Sequence, residues 1–236
     1  WCARGGYGCS RLLPLIDYDL VARHPKVFIG YSDITALLQA FFRKTGLVGF
    51  HGPVGASDFT DYTRAQVTAV LMEAPPTHTI YAAAANLEKE APAFQPRVLR
   101  PGRVRGPLAG GNLSLLAALP GTAYALPAAG RLLFIEDIGE KPYRIDRMLT
   151  QLRQADDLHA AAGIALGVFT DCEADPDDRS LSLLETLQDR LGPLDIPVVY
   201  GLSFGHIEHL CTLPVGLPAE LDTETMTIRL LEAAVA

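Results

Sequence analysis

Two periods of hydrophobicity meet near the front of the chain. Lys26-Val27-Phe28-Ile29 closes on a short unbroken apolar run, which predicts a buried strand. From Ile34 onward the apolar residues Leu37, Leu38, Phe41 and Phe42 fall at helical spacing, and Gly46 supplies the stop for a helix over Ile34 to Lys44. Between the two lies Gly30-Tyr31-Ser32-Asp33, so Ser32 is predicted at an abrupt strand-to-helix corner. Such a corner lifts a side chain onto the carboxyl edge of a sheet and aims the first free N–H groups of the helix at the same space. A serine there has the setting of a nucleophile elbow. It also suits a plain N-cap, and the Gly-x-Ser-x-Gly spacing of the common hydrolase elbow is absent.

The alternation of helix and strand extends in both directions. Leu12, Leu13, Leu15, Ile16 and Leu20 predict a helix from Arg11 to Ala22 with Pro14 near its first turn, and the rhythm is that of an α/β sheet. Cys2-Ala3 followed by Arg4-Gly5-Gly6-Tyr7-Gly8 reads as the end of a strand and its glycine-rich loop, so a further βα unit is expected upstream of this sequence. From Ala74 to Pro107 repeated prolines punctuate a stretch of little periodicity. Beyond it come a short apolar helix (Leu113 to Leu119), a buried strand (Arg131 to Ile135) and an amphipathic helix marked by Ile145, Met148, Leu149 and Leu152. Gly163 to Thr170 and Pro197 to Leu202 read as further strands flanking a helix over Leu181 to Leu191, and the tail reads as short strands with a turn near Asp222-Thr223. These shifts predict an α/β domain over 1–73, an interdomain crossing over 74–107 and a C-terminal domain over 108–236.

The 236 residues are 49% hydrophobic and 20% charged, which fits a globular chain with a sizeable core. A net charge of -7 and a pI near 5.3 argue against nucleic acid or an anionic membrane surface as partner and favour a small molecule or peptide. Cys2, Cys9, Cys172 and Cys211 include no Cys-x-x-Cys pair, which points to a reducing cytoplasm. His206-Ile207-Glu208-His209-Leu210-Cys211 crowds three metal-binding side chain types together, but the spacing matches none of the helical zinc motifs and no metal is expected.

Three polar residues share one setting, each at the carboxyl end of a predicted buried strand: Ser32, Glu136 and His206. Ligands bind at that edge in α/β folds, so the three form a candidate nucleophile, orienter and base. Simpler roles exist for each. Glu136 and Asp137 could cap the following helix or pair with Arg144 and Arg147, and His206 could be a structural histidine.

The run Arg4-Gly5-Gly6-Tyr7-Gly8, then Gly30-Tyr31-Ser32-Asp33-Ile34-Thr35, His51-Gly52-Pro53, Gly110-Gly111-Asn112-Leu113, Glu136-Asp137-Ile138-Gly139-Glu140, Pro142-Tyr143-Arg144-Ile145-Asp146-Arg147 and Gly205-His206 resembles, in order and over nearly the whole chain, the LD-carboxypeptidase family of serine peptidases. That family includes the microcin-immunity peptidases. The resemblance implies a flavodoxin-like N-terminal domain bearing the nucleophile and a C-terminal domain with barrel-like β structure and flanking helices bearing the other two catalytic residues. It implies a triad of Ser32, Glu136 and His206, a homodimer, and no metal or other cofactor. The implied substrate is the L,D-peptide bond before the terminal D-alanine of a murein tetrapeptide, cut during cytoplasmic cell-wall recycling. Members open with a further strand-helix region that this sequence lacks.

On this reading His206, held by Glu136, takes the Ser32 proton as the hydroxyl attacks an amide carbonyl. The oxyanion is expected against the backbone N–H groups of Asp33 and Gly6, and Arg4, Gly5, Tyr31 and Arg144 are expected to line the substrate. A terminal carboxylate calls for an arginine fork, for which Arg4, Arg144 and Arg147 are candidates. The alternative within the family is an immunity-type peptidase acting on a peptidyl nucleotide analogue. That activity calls for aromatic side chains that stack on a base; the only tryptophan is Trp1, and in the segment after the elbow helix, where a substrate-covering loop could project, the aromatics are Phe59 and Tyr62. A non-catalytic ligand-binding relative and a metallohydrolase built on His206, His209 and Cys211 are the remaining alternatives.

Overall fold

The structure, a computed structural model, describes every residue except 126, 156, 157, 176, 178 and 236. Its strands are β1 (Ile29–Gly30), β2 (Phe50–His51), β3 (His78–Ile80), β4 (Arg97–Arg100), β5 (Arg103–Asn112), β6 (Leu132–Glu136), β7 (Gly163–Leu166), β8 (Val198–Tyr200), β9 (Leu213–Pro214), β10 (Pro218–Asp222) and β11 (Thr227–Leu230). The helices are α1 (Cys9–Leu12), α2 (Tyr18–Arg23), α3 (Thr35–Thr45), α4 (Asp61–Thr68), α5 (Ala84–Leu87), α6 (Leu113–Ala118), α7 (Pro142–Ala155) and α8 (Leu183–Leu191). No helix among the described residues is long and apolar enough to cross a membrane.

The fold is α/β, with one small and one large sheet. The small sheet runs β1-β2-β9, with β1 and β2 parallel and β9 antiparallel to β2. The large sheet runs β3-β11-β10-β5-β6-β7-β8-β4. Its middle, β5 to β8, is parallel, as helix crossovers require, and its flanks are antiparallel. Long β5 joins the two regimes, pairing through Arg103–Pro107 with β10 and through Leu108–Asn112 with β6. Among the described residues β3 and β4 are the free edges and no barrel closes, so the expected barrel-like structure takes the form of an open mixed sheet.

Alternation along β6 decides which way its carboxyl end faces. Leu133 and Ile135 pack with α7 and α8 residues such as Ile145, Leu149 and Leu187 on one face. Leu132 and Phe134 face the opposite way, into the cluster containing Ile29, Leu38 and Phe50 from the segments around Ser32. Glu136, two residues after Phe134, therefore comes out on that same side, toward Ser32's sheet.

Helix α3 docks onto the large sheet through a glycine pair. Gly110 and Gly111 both have positive φ, at 153° and 138°, and a methyl at Gly111 would collide with Thr35 while one at Gly110 would collide with the Phe134 backbone. The close approach lets Gln39 Nε2 donate to the Gly110 carbonyl at 2.6 Å and the Asn112 N–H donate to Thr35 Oγ1 at 3.0 Å.

Three elements differ from the sequence expectation. The helix over Arg11 to Ala22 is two helices, α1 and α2, with a 3-10 turn over Leu13–Leu15 between. Asp17 restarts the chain by accepting the Leu20 N–H at 2.8 Å, so local capping overrides the apolar spacing. The strand predicted over Lys26 to Ile29 is confined to Ile29 and Gly30, because Val27 is exposed. The aperiodic stretch 74–107 supplies both edge strands of the large sheet, β3 and β4, and the start of β5.

Candidate active site

Ser32 sits where β1 gives way to a single 3-10 turn, Ser32–Ile34, that leads into α3. Its φ is 64°, one of few positive values outside glycine. A non-glycine residue held there is strained by about 1–3 kcal/mol, which persists only when surrounding structure enforces it. The enforcement is visible. Tyr31 is extended, at φ -141°, and the Asp33 carboxylate, almost fully buried, accepts the Cys9 N–H at 2.9 Å, tying the start of α1 to the elbow. Gly5 lies against the serine: a methyl on it would stand 2.9 Å from Ser32 Cβ and 3.2 Å from Oγ. Gly6 follows at φ 139°, a conformation that glycine adopts without penalty.

Glu136 and His206 meet at the end of the large sheet. His206 Nδ1 lies 2.8 Å from Glu136 Oε2, with the carboxylate fully buried and its Oε1 without a hydrogen-bond partner among the described residues. Gly205, at φ 120°, makes the contact possible, since a methyl there would stand 2.7 Å from the Val168 carbonyl and 3.3 Å from Glu136 Oε2. The loop is pinned by the Thr170 hydroxyl, which donates to the His206 carbonyl at 3.0 Å. The Tyr31 ring reaches across from the elbow, edge-on to the His206 ring with centroids 4.9 Å apart. Burial raises the Tyr31 hydroxyl above its usual pKa, which keeps it neutral. Ser32's neighbour, His206 and Glu136 are thus brought to one place.

The adjacent carboxylate has a different role. Asp137 accepts from Asn112 Nδ2 at 2.8 Å, from the Ser114 N–H and hydroxyl at 3.0 and 2.8 Å, and from the Ile138 N–H at 2.9 Å. It caps α6 rather than the helix that follows it, and burial raises its pKa. Among the described residues neither Glu136 nor Asp137 pairs with Arg144 or Arg147; Arg144 turns to Glu140 and Tyr143 on the surface. Arg4 is exposed, one residue before Gly5, and forms no salt bridge among the described residues. His209 leans toward Glu208 at 3.7 Å, Cys211 is buried, and no group of three metal-ligating side chains converges among the described residues.

One residue that periodicity and spacing did not single out stands beneath these groups. His51, which the sequence marks only as part of a His-Gly-Pro run, is fully buried, and neither ring nitrogen has a hydrogen-bond partner among the described residues. Burial, then the charge of nearby His206, depresses its pKa to about 3. Because the folded value lies below the unfolded one near 6.5, the associated stability is intact above that unfolded value and is lost as pH falls from there toward the folded pKa. Between about pH 7 and pH 5 the native chain is expected to lose about 2 kcal/mol more unfolding free energy than a His51→Phe variant. Urea unfolding at the two pH values measures this, and equal losses in both proteins would contradict a charge-intolerant His51.

Comparison with known proteins gives the arrangement a family. The LD-carboxypeptidase N-terminal domain profile matches residues 1–52 and the C-terminal domain profile residues 105–221. A probable murein peptide carboxypeptidase of Bacillus subtilis is 40% identical over 100% of this chain and 72% of its own length. The crystal structure of a muramoyltetrapeptide carboxypeptidase from Oxalobacter formigenes superposes with a TM-score of 0.80 at 34% identity, covering 96% of this chain and 74% of that one. A structure of MccF in complex with glutamyl sulfamoyl guanosine superposes with a TM-score of 0.85 at 26% identity, covering 99% and 76%. The chain belongs to the LD-carboxypeptidase family of peptidases.

Proposed function

We propose that this protein is a serine carboxypeptidase that hydrolyses the L,D-peptide bond releasing terminal D-alanine from murein tetrapeptides, with Ser32 as nucleophile, His206 as base and Glu136 as its orienter. The observation that carries the reading is the buried 2.8 Å contact of His206 with Glu136, beside a serine elbow at positive φ. Glu136 accepts from His206 Nδ1, so the other ring nitrogen is left to take the Ser32 proton. The acyl-enzyme that forms is then cleaved by water, with the proton returned through His206. The Asp33 and Gly6 N–H groups are the proposed oxyanion donors, with Gly5 and Tyr31 lining the substrate. Arg4, adjacent to Gly5 and without a counter-ion among the described residues, suits the substrate's terminal carboxylate better than Arg144, which is engaged by Glu140.

The domain division of 1–73, 74–107 and 108–236 belongs to the same proposal, and the two family profiles leave 53–104 between them. So do a homodimeric working unit and a cytoplasmic place of action, the latter in keeping with four free thiols.

A second reading, cleavage of an aminoacyl nucleotide analogue, is favoured by one observation. Trp1 and Phe59, both exposed, pair with ring centroids 5.7 Å apart, and such a platform could hold a base. Tyr62 is occupied elsewhere, its hydroxyl donating to the Tyr81 carbonyl at 2.6 Å. The two rings lie at 50° to each other and present no single flat surface, so the murein peptide remains the better fit. In a competition assay with both substrates, kcat/KM for the tetrapeptide, read as released D-alanine, is expected to exceed that for an aminoacyl adenylate analogue by about tenfold or more. Preferential consumption of the adenylate analogue would transfer the assignment to the second reading, and release from neither would remove both.

A further inference from the structure

We propose that His51 is a positioning residue for the reaction: its flat, uncharged ring is the common packing surface on which the three members of the proposed triad are held in register. The inference rests on the Ser32, His206 and Glu136 assignment. His51 sits on β2, directly beside Gly30 of β1, two residues before Ser32. Its ring meets three aromatic rings, all edge-on, and each belongs to the approach to a different triad member. Tyr31, with centroids 6.1 Å apart, immediately precedes Ser32 and carries the contact onward to His206. Phe134, at 5.3 Å, lies two residues before Glu136 on the same face of β6. Phe204, at 6.2 Å, lies two residues before His206 and itself packs against Phe134 at 6.0 Å.

A polar ring is an expensive choice for such a place. Each buried nitrogen without a partner among the described residues costs about 1–3 kcal/mol, so the position is not optimised for stability. What an imidazole supplies here is a small flat edge that three larger rings can approach together at T-shaped angles of 66° to 86°. A branched aliphatic side chain of similar volume would fill the space without offering those edges, and the Tyr31 ring would shift along with Ser32 behind it. Small displacements of that kind cost about 10²-fold in rate when reacting groups lose alignment.

The test uses the full chain and a fluorophosphonate that phosphonylates the attacking serine, displacing fluoride, so that the rate reports Ser32 reactivity without reference to any peptide. Total label at completion counts the folded protein and separates reactivity from stability. The native chain is expected to be labelled, and Ser32→Ala not. His51→Leu, nearly volume-conserving, is expected to fold and to be labelled about 10- to 100-fold more slowly per folded molecule, whereas His51→Phe restores the rate to within about threefold of native. Labelling of His51→Leu at the native rate would overturn the inference, as would His51→Phe remaining as slow as His51→Leu, since the nitrogens rather than the ring shape would then matter. A native chain left unlabelled, or labelled equally after Ser32→Ala, would overturn the triad assignment and this inference with it.

Discussion

Replacing Ser32 with alanine is expected to lower kcat on a murein tetrapeptide by about 10³-fold or more, because the covalent route ends when its nucleophile is removed. The fold should survive, since the side chain is not part of any core cluster and α3 is held by Thr35, Gln39 and the Gly110-Gly111 approach. The positive φ of Ser32 adds a second expectation. Glycine relieves the left-handed strain that serine bears, so Ser32→Gly should be as inactive as Ser32→Ala yet more stable than native by about 1 kcal/mol. Activity assays and thermal unfolding on the three proteins check both parts. An alanine variant retaining more than about a tenth of native turnover would sink the nucleophile assignment.

Glu136→Gln is expected to lower kcat by about 10²- to 10⁴-fold with KM little changed, because a neutral amide neither fixes the His206 tautomer nor stabilises the imidazolium that forms. Stability should move the other way or not at all. A fully buried carboxylate with one oxygen unpartnered among the described residues is costly, and an isosteric amide relieves part of that cost. Lost turnover with undiminished resistance to urea is the signature of a group held in place for chemistry. Turnover within about tenfold of native would mean that His206 is oriented by something else, and a collapse in stability would mean that the pair is structural.

The elements that position these groups were largely readable in advance, for a physical reason. Strand β6 is packed on both faces, so Leu132 to Ile135 form an unbroken apolar run, whereas α3 and α7 are buried on one face and their apolar residues, such as Ile145, Leu149 and Leu152, recur at helical spacing. Edge strands carry no such obligation. Arg97-Val98-Leu99-Arg100 pairs on one side only and is half exposed, so β4 left no apolar run to find. Functional readings divide in the same way. Ser32 and Glu136 announce themselves as polar residues ending apolar runs, but which of two consecutive carboxylates faces the histidine depends on the β6 pleat. Asp137 falls on the other side and caps α6. His51 was legible only as a member of a resembling run, because its neighbours Tyr31, Phe134 and Phe204 lie on segments far apart in the chain. No local pattern encodes that three rings converge on a fourth.

The smaller sheet takes its third strand, β9, from Leu213 and Pro214, more than a hundred residues after β2. On the ribosome, the outer edge of β2 therefore waits unpaired until β9, more than a hundred residues later in the chain, has been made. An unpaired strand edge is a template for wrong partners, and contacts this distant in sequence form slowly. The sheet that carries Ser32 is thus completed long after its first two strands are made, so a chain stalled before residue 213 carries a sticky edge. Stalled or slowly translated copies should be the ones that aggregate or call on chaperones.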